Sequence, residues 1–275
     1  MAKKNKMAKH DFLESQLPST RRKQFFDIIT HRYSLILKLG LLMALFFLPL
    51  LLSVMVKDAF LIIIQNGNYD DVPSRQFAVN VIYCVAIFVS LIIFFIGQSG
   101  FSKIYKELIY GDPIFLKEDF IHGIKENIKP FLVISSFVGL FYVAEILISL
   151  LFDNVYIQII PFAFNFALIF PLCYVSTFLS TYYSNGFMVN LKTSFALYLR
   201  RFPLELLGYV LSFGMIFFQY ISLIYVKYAL LIFFVIFLLP LSILIGHEAN
   251  AAIFDELINQ SQFPSFYKKG LYKKD

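Results

Sequence analysis

FAVNVIYCVAIFVSLIIFFIGQSGF, residues 77–101, contains no charged side chain. At a rise of about 1.5 Å per residue, a helix of that length crosses the roughly 30 Å hydrocarbon layer of a bilayer. Five more apolar runs flank it, giving spans near 34–56, 77–101, 131–152, 156–183, 204–226 and 228–246. Hydrophobic residues make up 59% of the 275-residue chain and charged residues 15%. A soluble domain carries about 25% charged residues, so the solvent of this chain is lipid. The expected fold is all-α: a polytopic membrane helix bundle with six transmembrane helices.

Charge sets the expected orientation. Of 24 Lys and Arg residues, 21 lie before or just inside the first run, between runs two and three, between runs four and five, or after run six. Lys57, Arg75 and Lys227 share the other three gaps. The positive-inside rule then places both termini and the two long loops in the cytoplasm. The basic residues adjoin membrane segments, where anionic lipid accounts for them, and show no nucleic-acid signature. The bilayer is the first partner implied.

Residues 1–20 read as a disordered basic tail, 21–262 as the membrane domain and 263–275 as a basic C-terminal tail. Residues 21–33 read as an interfacial helix with Arg21, Arg22 and Lys23 on headgroups, or as an extension of the first span. Residues 57–76 read as the longest outer loop, with Gly67, Asn68, Asp70, Asp71 and Pro73 as turn formers. Phe152–Val155 and Lys227-Tyr228 are gaps so short that they imply tight antiparallel hairpins.

Both inner loops carry an amphipathic helix. In 116–128, Phe120, Ile124 and Ile128 recur at i, i+4 and i+8; in 191–199, Leu191, Phe195 and Leu199 do the same. These six residues form a candidate partner-docking face. An offset of 71 residues superposes the two loops, as halves of a weak repeat or as unrelated linkers. Gly111-Asp112-Pro113 breaks the second helix, and Pro130 opens the third span.

The order Gly97-Gln98-Ser99-Gly100, Ile104-Tyr105-Lys106, Gly111-Asp112, Phe115-Leu116, Asp119-Phe120 and Lys125-Glu126-Asn127-Ile128-Lys129 resembles the YesL-like family of bacterial membrane proteins. Phe170-Pro171, the Leu191–Leu199 helix, Leu239-Pro240 and a closing helix at Asn250–Leu257 fit the same pattern, over roughly residues 25–260. The family commonly carries Trp near its first span, and this chain has none. Its tails are also longer than the family's. The resemblance implies a six-helix protein of the bacterial cytoplasmic membrane, linked to carbohydrate ABC transporters and their permease subunits. It supplies no catalytic residue.

The residues themselves offer no catalytic constellation and imply no cofactor or metal. His247-Glu248 opens like HExxH, but residue 251 is Ala, and the pair is expected at a wet helix end. Gly97-Gln98-Ser99-Gly100 reads as close helix packing. Cys84 and Cys173 read as small buried hydrophobes. Glu145 is the one carboxylate inside a span, so it should face the bundle interior or a cavity. Pro161 and Pro171 interrupt the fourth span, with Asn165 between them and Gln158 before; their freed carbonyls need donors. Glu145, Gln158 and Asn165 form a candidate solute or proton site. Glu205 at a helix start needs no further role.

Two functions follow as expectations: an accessory or scaffolding component of a membrane transport system, or a small-solute permease built on the Glu145 site.

Overall fold

The computed structural model describes residues 17–214, 218, 221 and 223–272. The chain is helical throughout the described residues, with no strand. Its helices are α1 (Arg21–Asn66), α2 (Val72–Tyr110), α3 (Leu116–Leu151), α4 (Val155–Tyr182), α5 (Phe187–Arg200), α6 (Phe202–Phe213) and α7 (Ile224–Gln262). Among the described residues, α1, α2, α3, α4 and α7 are long and apolar enough to cross a membrane. The run expected at 204–226 is described as helix only through Phe213, and residues 215–217, 219, 220 and 222 lie outside the described set. Of the basic tail, residues 1–16 lie outside it as well.

The helices outrun the sequence-based boundaries. Thr20 caps α1 by accepting from the Lys23 amide at 3.3 Å. Residues 21–33 are continuous with the first span, with a kink at Arg32 (φ −123°, ψ 22°). The expected 57–76 loop shrinks to Gly67–Asp71, because Lys57 and Asp58 lie on a further helical stretch that ends at Asn66. Lys227 and Tyr228 lie within α7 rather than in a turn. Gly111 ends α2 in the left-handed conformation (φ 71°), which glycine adopts without a Cβ penalty. Pro130 sits inside α3 and does not open it.

Small residues set the helix contacts. A Cβ on Gly97 would lie 2.4 Å from Phe46, and one on Gly100 would lie 2.6 Å from Phe120. The expected close packing at this motif is therefore present, with Gly123 of α3 facing Gly100. Gly40 lets α1 approach α7 so closely that a Cβ would lie 2.0 Å from the Ile236 carbonyl.

Two prolines repeat one device. Asn165–Ile169 and Phe234–Leu238 are π turns, and Pro171 and Pro240 each follow two residues after the turn ends. Proline has no N–H, so the carbonyl four residues back loses its helical partner. Pro171 frees the Ala167 carbonyl, which accepts from the Tyr198 hydroxyl at 2.5 Å. Pro240 frees the Ile236 carbonyl, against which α1 packs closely at Gly40. At Pro171 a neighbouring helix thus supplies the donor that the proline removes.

Candidate functional site

Within the bundle lies an apolar cavity that opens to the surface. Helices α1, α2, α3, α4, α6 and α7 border it. Its walls are aromatic and aliphatic, among them Phe47, Leu91, Phe94, Phe131, Phe178 and Ile243. Scattered hydroxyls of Tyr174, Thr177, Tyr209 and Ser212 also line it, and its lysine and histidine side chains sit at the two ends. Lys227, Tyr83 and Tyr142 border one end; His247, Gln98 and Ser102 border the other.

The Lys227 end contains an interhelical ion pair. Lys227 is buried and donates to Asp58, and the Tyr228 hydroxyl donates to the same carboxylate oxygen at 2.8 Å. Lys57 lies over the Tyr83 ring, 4.5 Å from its centroid.

The His247 end corrects the sequence reading. His247 is 0% exposed and Glu248 5% exposed, so the pair is buried and not at a wet helix end. The His247 ring stacks on Tyr105 at 5.5 Å and meets the Phe178 ring edge-on at 4.7 Å. Asn250 donates to Glu205 at 3.4 Å, giving that buried carboxylate a partner on α7. The apolar run ends at residue 246, but helix and burial continue through Asn259.

Beyond this end, charged groups knot distant parts of the chain together. Arg21 donates to Asp255 and to Gln24, each at 2.8 Å. Gln24 donates to the Ile109 carbonyl at 2.6 Å and to Gly270 at 3.3 Å. Asp255 also accepts from Asn259 at 2.9 Å and from the Lys268 amide at 3.0 Å. Arg21 is 8% exposed, so it does not face lipid headgroups as expected. Residues 263–272, expected as a basic tail, fold back as a strap. Its Phe266 stacks on Tyr110 at 5.9 Å, and Leu271 is buried.

A polar cleft lies beside the knot, bordered by Lys103, Lys106, Glu107, Asp112, Glu126 and Lys269. Lys103 pairs with Glu126 at 2.7 Å and Lys269 with Asp112 at 2.8 Å. Burial, reinforced by the nearby Asp119 carboxylate, pushes Glu107 up to about 7. Burial pulls Lys106 below the usual lysine range.

The candidate solute site divides. Asn165 donates to Glu145 at 2.8 Å and to the Phe141 carbonyl at 3.0 Å, pinning α4 to α3. Gln158 stands apart, donating to the Ser149 and Phe152 carbonyls at 3.2 and 2.7 Å. It caps the end of α3. None of the three is among the residues that border the cavity.

The candidate docking face divides too. Phe120 is turned inward against Phe46 and Phe101, with centroids 5.6 and 4.9 Å away, and Ile124 and Ile128 are half-buried. On α5, Leu191 is half-buried while Phe195 and Leu199 point outward.

The sequence signals were incomplete for the cavity. Cys173, Tyr83 and Tyr142 carry no recognisable motif, and their convergence depends on the packing of α2, α3 and α4. Comparison with family models, with curated proteins and with solved structures finds no match.

Proposed function

We propose that this chain is a multi-pass protein of the bacterial cytoplasmic membrane that takes up an elongated apolar molecule within its helix bundle. The supporting observation is the cavity. It reaches from Lys227 to His247 on α7, 20 residues apart, or roughly 30 Å at the helical rise. Tyr83 and Ser102 bracket a similar length on α2. A site of that length and apolar lining suits a hydrocarbon chain better than a compact polar solute. In this reading the 204–226 run completes a sixth span and both termini are cytoplasmic, as the lysine and arginine distribution favours. The YesL-like resemblance and its link to carbohydrate uptake are compatible with this role, with the chain acting beside a transport complex.

The test is native mass spectrometry of the full chain released from its membrane. The expected result is a co-purifying amphiphile at one per chain. Val138→Phe, which adds a ring at the cavity wall, should displace it. A wild-type protein that carries nothing and takes up no hydrocarbon probe would refute the reading.

A second reading, an accessory component that docks on a transporter, is favoured by α5. Met188, Val189, Phe195 and Leu199 are 47–65% exposed on it. Co-purification from native membranes should recover a partner that Phe195→Glu releases. Retention of every partner by that variant would remove α5 as the docking element.

A further inference from the structure

The cavity has chemically different ends, and this specifies its occupant further than its length does. At the Lys227 end, three ionisable groups from two helices meet: Lys57 and Asp58 on α1, and Lys227 on α7. Asp58 is engaged by Lys227 and by the Tyr228 hydroxyl. Lys57 does not itself border the cavity but lies over Tyr83, which does; it is half-buried, forms no ion pair among the described residues, and lies within electrostatic reach of both Asp58 and Lys227. Two cations thus face one carboxylate. Lys227 itself is 7% exposed and borders the cavity. Removing such charges from water is costly unless they are matched, so an anion at this end would complete the set.

The opposite end carries no such excess. There the cavity stops at His247, which Tyr105, Phe178 and Tyr182 surround with rings. The walls between are mostly aromatic and aliphatic, with Tyr174, Thr177, Tyr209 and Ser212 adding scattered hydroxyls but no charge. We infer that the occupant is a single-chain amphiphile with an anionic head, a carboxylate or a phosphate, held by Lys57 and Lys227 while its tail runs toward His247. This rests on the cavity reading above and adds the head group and its location.

Asp58 competes with the ligand for Lys227 in this arrangement, and that gives the proposal an unusual signature. Binding to the full chain in detergent is measured for three probes of equal chain length: oleate, oleyl phosphate and oleyl alcohol. The better of the two acidic probes should bind at least about tenfold more tightly than the alcohol, and its identity distinguishes carboxylate from phosphate. Lys57→Gln should weaken that acidic probe about tenfold and leave the alcohol unchanged. Asp58→Asn should strengthen it several-fold, because Lys227 is released to the ligand. A merely structural ion pair would instead make Asp58→Asn weaken binding. The head-group assignment is overturned if the alcohol equals the acids in wild type, or if Asp58→Asn and Lys57→Gln weaken acid binding alike. Failure of all three probes overturns the cavity reading itself.

Discussion

The Arg21–Asp255 knot and the Glu145–Asn165 pin both place a carboxylate against an N–H donor inside the bundle, yet they differ in reach. The pin joins residues 20 positions apart on successive helices. The knot joins residues 234 positions apart and gathers the start of α1, the end of α2, the end of α7 and the strap. A pin strengthens a hairpin that loop length already dictates. A knot determines which distant elements share an end of the molecule, and its removal should be felt everywhere.

The largest expected effect comes from breaking the knot on one side. Asp255→Ala leaves Arg21 buried without its carboxylate, a loss of about 3–5 kcal/mol. Thermal unfolding in detergent should show it plainly. Pairing Arg21→Met with Asp255→Leu should recover most of the loss. A double variant no more stable than Asp255→Ala would mean that charge matching is not what the knot contributes.

The pin should be worth less. Asn165→Leu removes the donor to Glu145 and to the Phe141 carbonyl, and interhelical hydrogen bonds in membranes average about 0.6 kcal/mol with a maximum near 1.7. The same unfolding assay checks it; a loss equal to that of Asp255→Ala would erase the distinction between the two clusters.

Acidity should separate the two regions further. Glu107, beside the knot and beyond the apolar stretch of α2, is raised in the folded chain to about 7, chiefly by burial. The folded state therefore holds this proton more tightly than the unfolded chain does. Stability should fall as pH rises from the usual glutamate range through about 7, and be flat above it. The carboxylate is partly solvated, so the change should be around 1 kcal/mol. Glu107→Gln should flatten the profile; an unchanged pH slope would assign it to other groups.

Glu145→Gln should have the smallest effect, a few tenths of a kcal/mol. An amide oxygen can still accept from Asn165. Loss of more than about 1 kcal/mol would show that the carboxylate's charge, not only its hydrogen bond, is used at the pin.

The pin and the knot also mark what the sequence could disclose. A lone Glu in an apolar run has to find a donor, and Asn165 on the next helix is the nearest candidate, so the pin was legible. So were the break at Gly111, the glycine contact at Gly97 and Gly100, and the need for donors opposite Pro171. Sequence alone puts Arg21 at lipid headgroups and His247 and Glu248 at a wet helix end, because polar residues outside the apolar runs carry no local sign of burial. Their burial depends on partners hundreds of residues away or on the strap, which no local pattern encodes. The two amphipathic loops show the same limit. Ile124 and Phe195 occupy matching places in identical spacings, yet one is half-buried and the other points outward. Periodicity establishes a stripe; in a membrane protein, both core and lipid accept it.

The strap closes the chain on itself, since the Tyr272 amide donates to the Pro18 carbonyl at 3.1 Å. During synthesis, Arg21 emerges long before Asp255 exists. The first helix must therefore wait with its guanidinium uncompensated until the last helix has been made. The knot thus forms only on completion: a chain truncated before residue 255 lacks both the carboxylate and the strap that enclose Arg21, and its first helix keeps an unpaired guanidinium.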